Sequence, residues 1–200
     1  KVLLVNPPAR SLQYEPIVVP PLGLLCVAAA LARAGIPVMF RDCFAERMSW
    51  DDYSTLVSTV RPDVLGLGGM SPVVDTSFRA ARSARPHVRH IVMGGAHASL
   101  FRQKAFMECP EIDILVAGEG EVTAVELFTA LRDGKPFHDI PGVVTPTSTA
   151  PERPLIVDLD RLPFPDRSLA PRHLYRYPFS RYRPVTTLFS SRGCPYSCAF

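Results

Sequence analysis

Apolar residues in this chain gather in short, unbroken runs. Residues 1–5 read K-V-L-L-V, 37–40 P-V-M-F, 63–69 D-V-L-G-L-G-G, 90–95 H-I-V-M-G-G and 112–118 I-D-I-L-V-A-G. Such runs, bounded by Gly, Pro or Asn, are the pattern of strands buried on both faces, as in a parallel sheet. Between them lie helical signals. Pro21 opens a helix that continues to Ala34, with Gly35 as its stop. Ser49 caps a second helix to Val60, whose apolar faces come from Trp50, Leu56 and Val60. A third runs from about Val74 to Arg85, and a fourth, amphipathic, over 122–131 with Asp133-Gly134 closing it.

Strands alternating with helices predict an α/β fold: a flavodoxin-like or Rossmann-type parallel five-stranded sheet, helices on both faces, strand order 2-1-3-4-5. From 141 to 184 the texture changes. Prolines recur at 141, 146, 151, 154, 163, 165, 171, 178 and 184, and no helical period survives. This reads as a Pro-rich linker with a small strand or hairpin at 142–144 and 154–157. It leads to an apolar run, 185–190, expected to be the first strand of another domain. The expected division is thus 1–140, 141–184 and 185–200.

Composition adds little to this picture and excludes some functions. Apolar content is 47%, charged residues are 20% and net charge is +3, which is too small to argue for nucleic acid. No apolar stretch approaches the roughly 20 residues of a membrane span, and no secretory signal is expected. Cys26, Cys43 and Cys109 are scattered and read as reduced structural cysteines, so a cytoplasmic location is expected. From 161 onward there are seven arginines and one acid, Asp166, interleaved with Tyr175, Tyr177 and Tyr182. A single-stranded nucleic-acid binder has that texture; a linker with solvated or paired arginines has it too, and is the preferred reading.

Ligands of open parallel sheets sit beyond the carboxyl ends of the strands. There the chain places Asn6-Pro7-Pro8, Gly68-Gly69-Met70-Ser71-Pro72, Gly94-Gly95-Ala96-His97 and Gly118-Glu119-Gly120-Glu121. One Gly-Gly serves a tight turn; three glycine-bearing ends on one rim also let a ligand approach backbone. No G-x-G-x-x-G follows the first strand and no G-x-x-x-x-G-K-[ST] occurs, so neither dinucleotide nor P-loop chemistry is expected. His97, at a helix start, borders a ligand or caps the helix. Glu119 and Glu121 are acid–base candidates or electrostatic caps at a helix N-terminus. His87, His90, His138 and His173 have no partner spacing.

The chain closes on Ser190-Ser191-Arg192-Gly193-Cys194-Pro195-Tyr196-Ser197-Cys198-Ala199-Phe200. Two thiols three residues apart, after a β-branched run, suit a soft metal at a strand end; structural cysteines, a disulfide or a share of a zinc site are the alternatives. The wording R-G-C-P-Y-S-C-A-F resembles the C-x-x-x-C-x-x-C loop of radical S-adenosylmethionine (SAM) enzymes. Its third cysteine would follow Phe200, so the chain is expected to be the amino-terminal part of a longer protein. With Asn6-Pro7-Pro8, Pro21-Leu22-Gly23-Leu24-Leu25, Gly94-Gly95-Ala96-His97, Asp113 through Val116, Gly118-Glu119-Gly120-Glu121 and Leu162-Pro163-Phe164-Pro165, the whole sequence resembles cobalamin-dependent radical SAM enzymes, whose cobalamin-binding domain precedes the barrel.

The resemblance implies three cofactors: cobalamin, a 4Fe-4S cluster and SAM. Cys194 and Cys198 would be cluster ligands, and Phe200 would lie against the adenine of SAM. Asn6, Pro7, Leu22, Met70, Ser71, Gly94, Gly95, His97, Gly118 and Glu119 would contact cofactor. The D-x-H-x-x-G motif of methionine-synthase-type domains is missing, and their Ser-x-Leu element reads Gly68-Gly69-Met70. This implies cobalamin with its own base displaced and no histidine beneath the cobalt, the Met70 loop facing the lower side of the corrin. The implied activity is methyl transfer from SAM through methylcobalamin to an unactivated carbon of a small-molecule or natural-product-like substrate. A 5′-deoxyadenosyl radical would remove the substrate hydrogen, and an external electron donor would serve the cluster. Oxidative cyclisation or ring rearrangement, or a non-catalytic cobalamin-binding module, are the alternatives. No turnover is expected of these 200 residues alone.

Overall fold

The five apolar runs form parallel strands in the computed structural model, which describes residues 1–9, 17–193 and 196. Strand β1 (Val2–Asn6) lies between β2 (Val38–Asp42) and β3 (Val64–Gly68), followed by β4 (His90–Gly94) and β5 (Ile114–Val116). The sheet order is β2-β1-β3-β4-β5-β6. The predicted order of the first five strands holds, but among the described residues the sheet has six strands. β6 (Val143–Val144) pairs antiparallel with β5, Leu115 opposite Val144, and Ala117 N–H donates to the Gly142 carbonyl at 2.8 Å. The extra strand covers an edge that would otherwise carry unpaired backbone groups.

Strand residues alternate between two cores, as the period of 2 requires. Leu3, Val5, Leu65, Leu67, Ile91 and Met93 face one core, with Tyr53 and Val57 of α2 (Trp50–Val60) and Phe78 and Ala81 of α3 (Val74–Ala84). Leu4, Val64, Val92 and Val116 face the other, with Leu25, Ala28 and Leu31 of α1 (Leu22–Arg33) and Leu127 and Phe128 of α6 (Gly120–Asp133). Between β4 and β5 run two short helices, α4 (Ala96–Phe101) and α5 (Ala105–Glu108), separated by Arg102 at a positive φ of 48°. The Ser49 hydroxyl accepts from Asp52 N–H and the Asp52 carboxylate accepts from Ser49 N–H, a complete capping box. Gly134 ends α6 in the left-handed conformation.

The proline-rich segment folds back along the α1 side. Val18 and Arg176 bridge antiparallel, Asp166 N–H reaches the Leu25 carbonyl, and Leu169, Leu174, Tyr175 and Val185 pack on the second core. Residues 154–157, expected to form strand, form none. Pro154 offers no N–H, and the Ile156 N–H is taken by the Glu119 carboxylate at 2.6 Å. Residues 185–190 likewise have no strand partner among the described residues; a β-branched run supplies propensity, and pairing needs a neighbour.

Candidate functional site

Beyond the carboxyl ends of the central strands a cleft of about 490 Å³ opens between the sheet and helices α1 and α6. Its sheet wall is Leu4 of β1, Gly66 and Gly68 of β3, Val92 and Gly94 of β4 and Val116 of β5. Register produces this wall: Leu4 lies opposite Gly66, Gly66 opposite Val92, and Gly68 opposite Gly94. Gly68 and Gly94, side by side and without side chains, leave a slot where larger residues would complete the core, while the Leu4 side chain lies over Gly66 and fills the place of its missing Cβ. The helix wall is apolar, from Leu22, Leu24 and Val27 of α1 and Ala124 and Phe128 of α6. Cavities of this size, mainly apolar with a few polar groups at one end, take small molecules or cofactor parts.

The polar end is built from three charged side chains. Glu119 and Glu121 stand at the start of α6, where the helix dipole favours negative charge. Arg192 donates to Glu119 Oε1 at 3.1 Å and to Glu121 Oε1 at 2.5 Å. These bonds, led by the one to Glu121, push the Arg192 guanidinium further up from its already high range. Cys26 of α1 lines the same cleft. Burial raises its thiol, and the charge of Glu121 raises it further, so it stays a protonated thiol. Phe189, Ser191 and Gly193 complete the lining.

The rim between β3 and β4 depends on one glycine. Gly95 has φ +103°, and a Cβ there would lie 2.6 Å from the Gly69 carbonyl oxygen. That approach lets Gly69 N–H bond the Gly94 carbonyl at 2.8 Å and His97 N–H bond the Gly69 carbonyl at 3.1 Å. Ser99 Oγ accepts from Gly118 N–H at 2.9 Å and donates to the Gly95 carbonyl at 3.0 Å, joining the loops after β4 and β5.

Of the predicted contacts, Leu22, Gly94, Gly95, Gly118 and Glu119 line the cleft. Asn6, Pro7, Met70, Ser71 and His97 do not. Asn6 donates to Asp42 Oδ1 at 2.7 Å, and Pro7 is buried beside it in sequence. Met70 is exposed on the rim after β3. His97 is 3% exposed, stacked on Phe101 at 4.4 Å between ring centres and edge-on to Phe78. Its Nδ1 is 3.3 Å from Ser71 Oγ; its Nε2 lies 3.5 Å from a Glu108 carboxylate oxygen, outside hydrogen-bonding geometry. Cys194, Cys198 and Phe200 lie outside the described residues. Among the described residues no group of three His, Cys, Asp or Glu is placed to hold a metal ion, and no helix is long and apolar enough to cross a membrane. Sequence reasoning missed Gly66, Cys26, Phe128 and Arg192; the glycine inside the β3 run was the one signal available for this wall.

Residues 16–128 match the B12 binding domain family. An uncharacterized methyltransferase of Pyrococcus horikoshii is 32% identical across the whole chain, which spans 44% of that protein. An anaerobic magnesium-protoporphyrin IX monomethyl ester cyclase of Rubrivivax gelatinosus is 28% identical over 90% of the chain and 34% of its own length. The chain thus spans less than half of these relatives. Among solved structures, the radical SAM methyltransferase TsrM from Kitasatospora setae, with cobalamin and a [4Fe-4S] cluster bound, superposes with a TM-score of 0.65 at 23% identity. The match covers 88% of this chain and 34% of that one, a likeness of fold. The chain belongs to the B12-binding domain family.

Proposed function

We propose that the chain holds cobalamin for a radical SAM methyltransferase acting on an unactivated carbon. The observation that carries the reading is the glycine-walled slot. Its apolar walls suit the flat base at the end of the cofactor's tail, while the glycine rim and the Met70 loop would carry the corrin. Bound cobalamin supplies a cobalt centre able to accept a methyl group from SAM and pass it on. The chain's own part is to bind and shield. Leu22, Leu24, Val92 and Phe128 keep water from the slot, and the 94–95 turn presents backbone rather than side chains. Cys26, held as a neutral thiol, adds no charge there. Glu119 and Glu121 are paired with Arg192, which favours structural work over acid–base work for both. Cys194 and Cys198 would hold the cluster, in a domain that begins near residue 185.

The cyclase relative supports a second reading, in which the same cofactors serve ring closure without methyl transfer. SAM labelled in its methyl group, given to the full-length protein with a low-potential reductant and substrate, separates them. Methyl transfer predicts label in the product together with S-adenosylhomocysteine; cyclisation predicts product with no label.

A further inference from the structure

Arg192 precedes Cys194 by two residues, and its side chain reaches back more than seventy residues to the first turn of α6. One guanidinium serves two carboxylates, Glu119 at 3.1 Å and Glu121 at 2.5 Å, through different nitrogens. The contact is shielded. The Glu121 side chain is 6% exposed, Glu119 15% and Arg192 31%, so screening by salt is weaker than for an open surface pair. A carboxylate buried to this degree is costly without a cationic partner, so the tie has a driving force independent of the rest of the tail. Glu119 is also fastened from the other side, its second oxygen accepting from Ile156 N–H at 2.6 Å. The anchor is therefore rigid, and the segment it holds forms part of the slot's wall through Phe189, Ser191 and Gly193.

We infer that Arg192 is a positioning residue: it latches the segment leading into Cys194 to the start of α6, and so fixes where the cysteine-bearing loop begins relative to the slot. The importance of that loop rests on the function proposed above; the latch itself does not. A planar fork matched to two carboxylates is a property of arginine that lysine lacks, so the residue type at 192 follows from the geometry. The latch gives a reason for paired acids at this strand end distinct from cofactor contact.

Trypsin reads the latch directly, because it cleaves the Arg192–Gly193 bond only when Arg192 is released. Glu119→Gln with Glu121→Gln removes both charges while leaving an amide oxygen for Ile156 N–H. Cleavage at 192–193, followed by mass spectrometry, is expected to accelerate by at least about tenfold, as loss of charge-assisted hydrogen bonds raises local opening. Glu126→Gln, on the same helix but paired with Arg153, is expected to leave that bond as protected as in the parent. Arg192→Lys keeps the cleavage site and the charge but not the fork, and is expected to fall between. Should the double variant lose its fold, hydrogen exchange of residues 189–193 in Arg192→Gln provides the second readout, with faster exchange expected there and unchanged exchange in the sheet. Equal cleavage in parent and double variant, or unchanged exchange in Arg192→Gln, overturns the latch. Neither readout needs cobalamin, so failure of the cofactor assignment would leave the parent bond protected and be seen separately.

Discussion

Three donors converge on Asp42, which is fully buried: Asn6 Nδ2 at 2.7 Å, Tyr175 hydroxyl at 2.9 Å and Ala45 N–H at 3.1 Å. Burial raises the Asp42 carboxyl, and the three bonds oppose the rise. Tyr175→Phe removes one donor and leaves its oxygen unsatisfied. The expected loss is about 1–3 kcal/mol in a denaturant titration. With its folded pKa above the unfolded one, the native state binds more protons, so Asp42 opposes folding most at neutral pH and less as pH falls through the raised pKa. The Tyr175→Phe deficit is therefore expected to shrink toward acid pH, and Asp42→Asn in that background to recover part of it. A deficit that grows on acidification would contradict this. At Gly95, alanine places a Cβ against the Gly69 carbonyl at positive φ. Gly95→Ala is expected to lower Tm by roughly 5 °C or more, whereas an unchanged Tm would mean the rim turn is not as tight as described.

Elements differ in how openly the sequence displays them. Four apolar runs became β1, β3, β4 and β5 because a strand buried on both faces needs nothing beyond its own residues to declare itself, and the run at 37–40 became β2, an edge strand with Met39 and Arg41 exposed. β6 is two residues long, and its pairing depends on the edge β5 leaves open. Of the helical pair α4 and α5, the sequence pointed only to a helix start at His97, not to the extent of α4 or to α5. Its pattern is broken at Arg102, and its most buried polar residue, His97, lies between Phe78 and Phe101, where tertiary packing overrides local cues. The rim glycines pointed correctly to the end of the sheet that carries the cleft. Gly94, Gly95 and Gly118 line it; Asn6 turned out to be a partner of Asp42. Nothing local links Tyr175 to Asp42 or Arg192 to Glu121, since such pairs exist only once the proline-rich segment has folded back on α1 and α6.

At the scale of the whole molecule, one sheet supports two cores, and the slot is the place where the second core is left unfilled. Residues 189–193, just beyond the proline-rich segment, supply one wall of it; Arg192 ties them to α6, and Tyr175 ties the proline-rich segment to Asp42. Filling the slot without disturbing the fold tests this view. An added side chain at Gly23 meets no atom within 4 Å of its Cβ, and Gly23 lines the cleft. Gly23→Leu is expected to keep the parent's Tm and to weaken hydroxocobalamin binding by about tenfold or more, because the added side chain takes room in the cleft that the ligand would occupy. The central claim is tested most directly by titrating the chain with hydroxocobalamin under inert gas and following the absorption spectrum. A saturable complex with the base-off spectrum, weakened by Gly23→Leu, is the predicted result. A folded protein that leaves the spectrum of free hydroxocobalamin unchanged at every ratio would contradict the assignment of the slot.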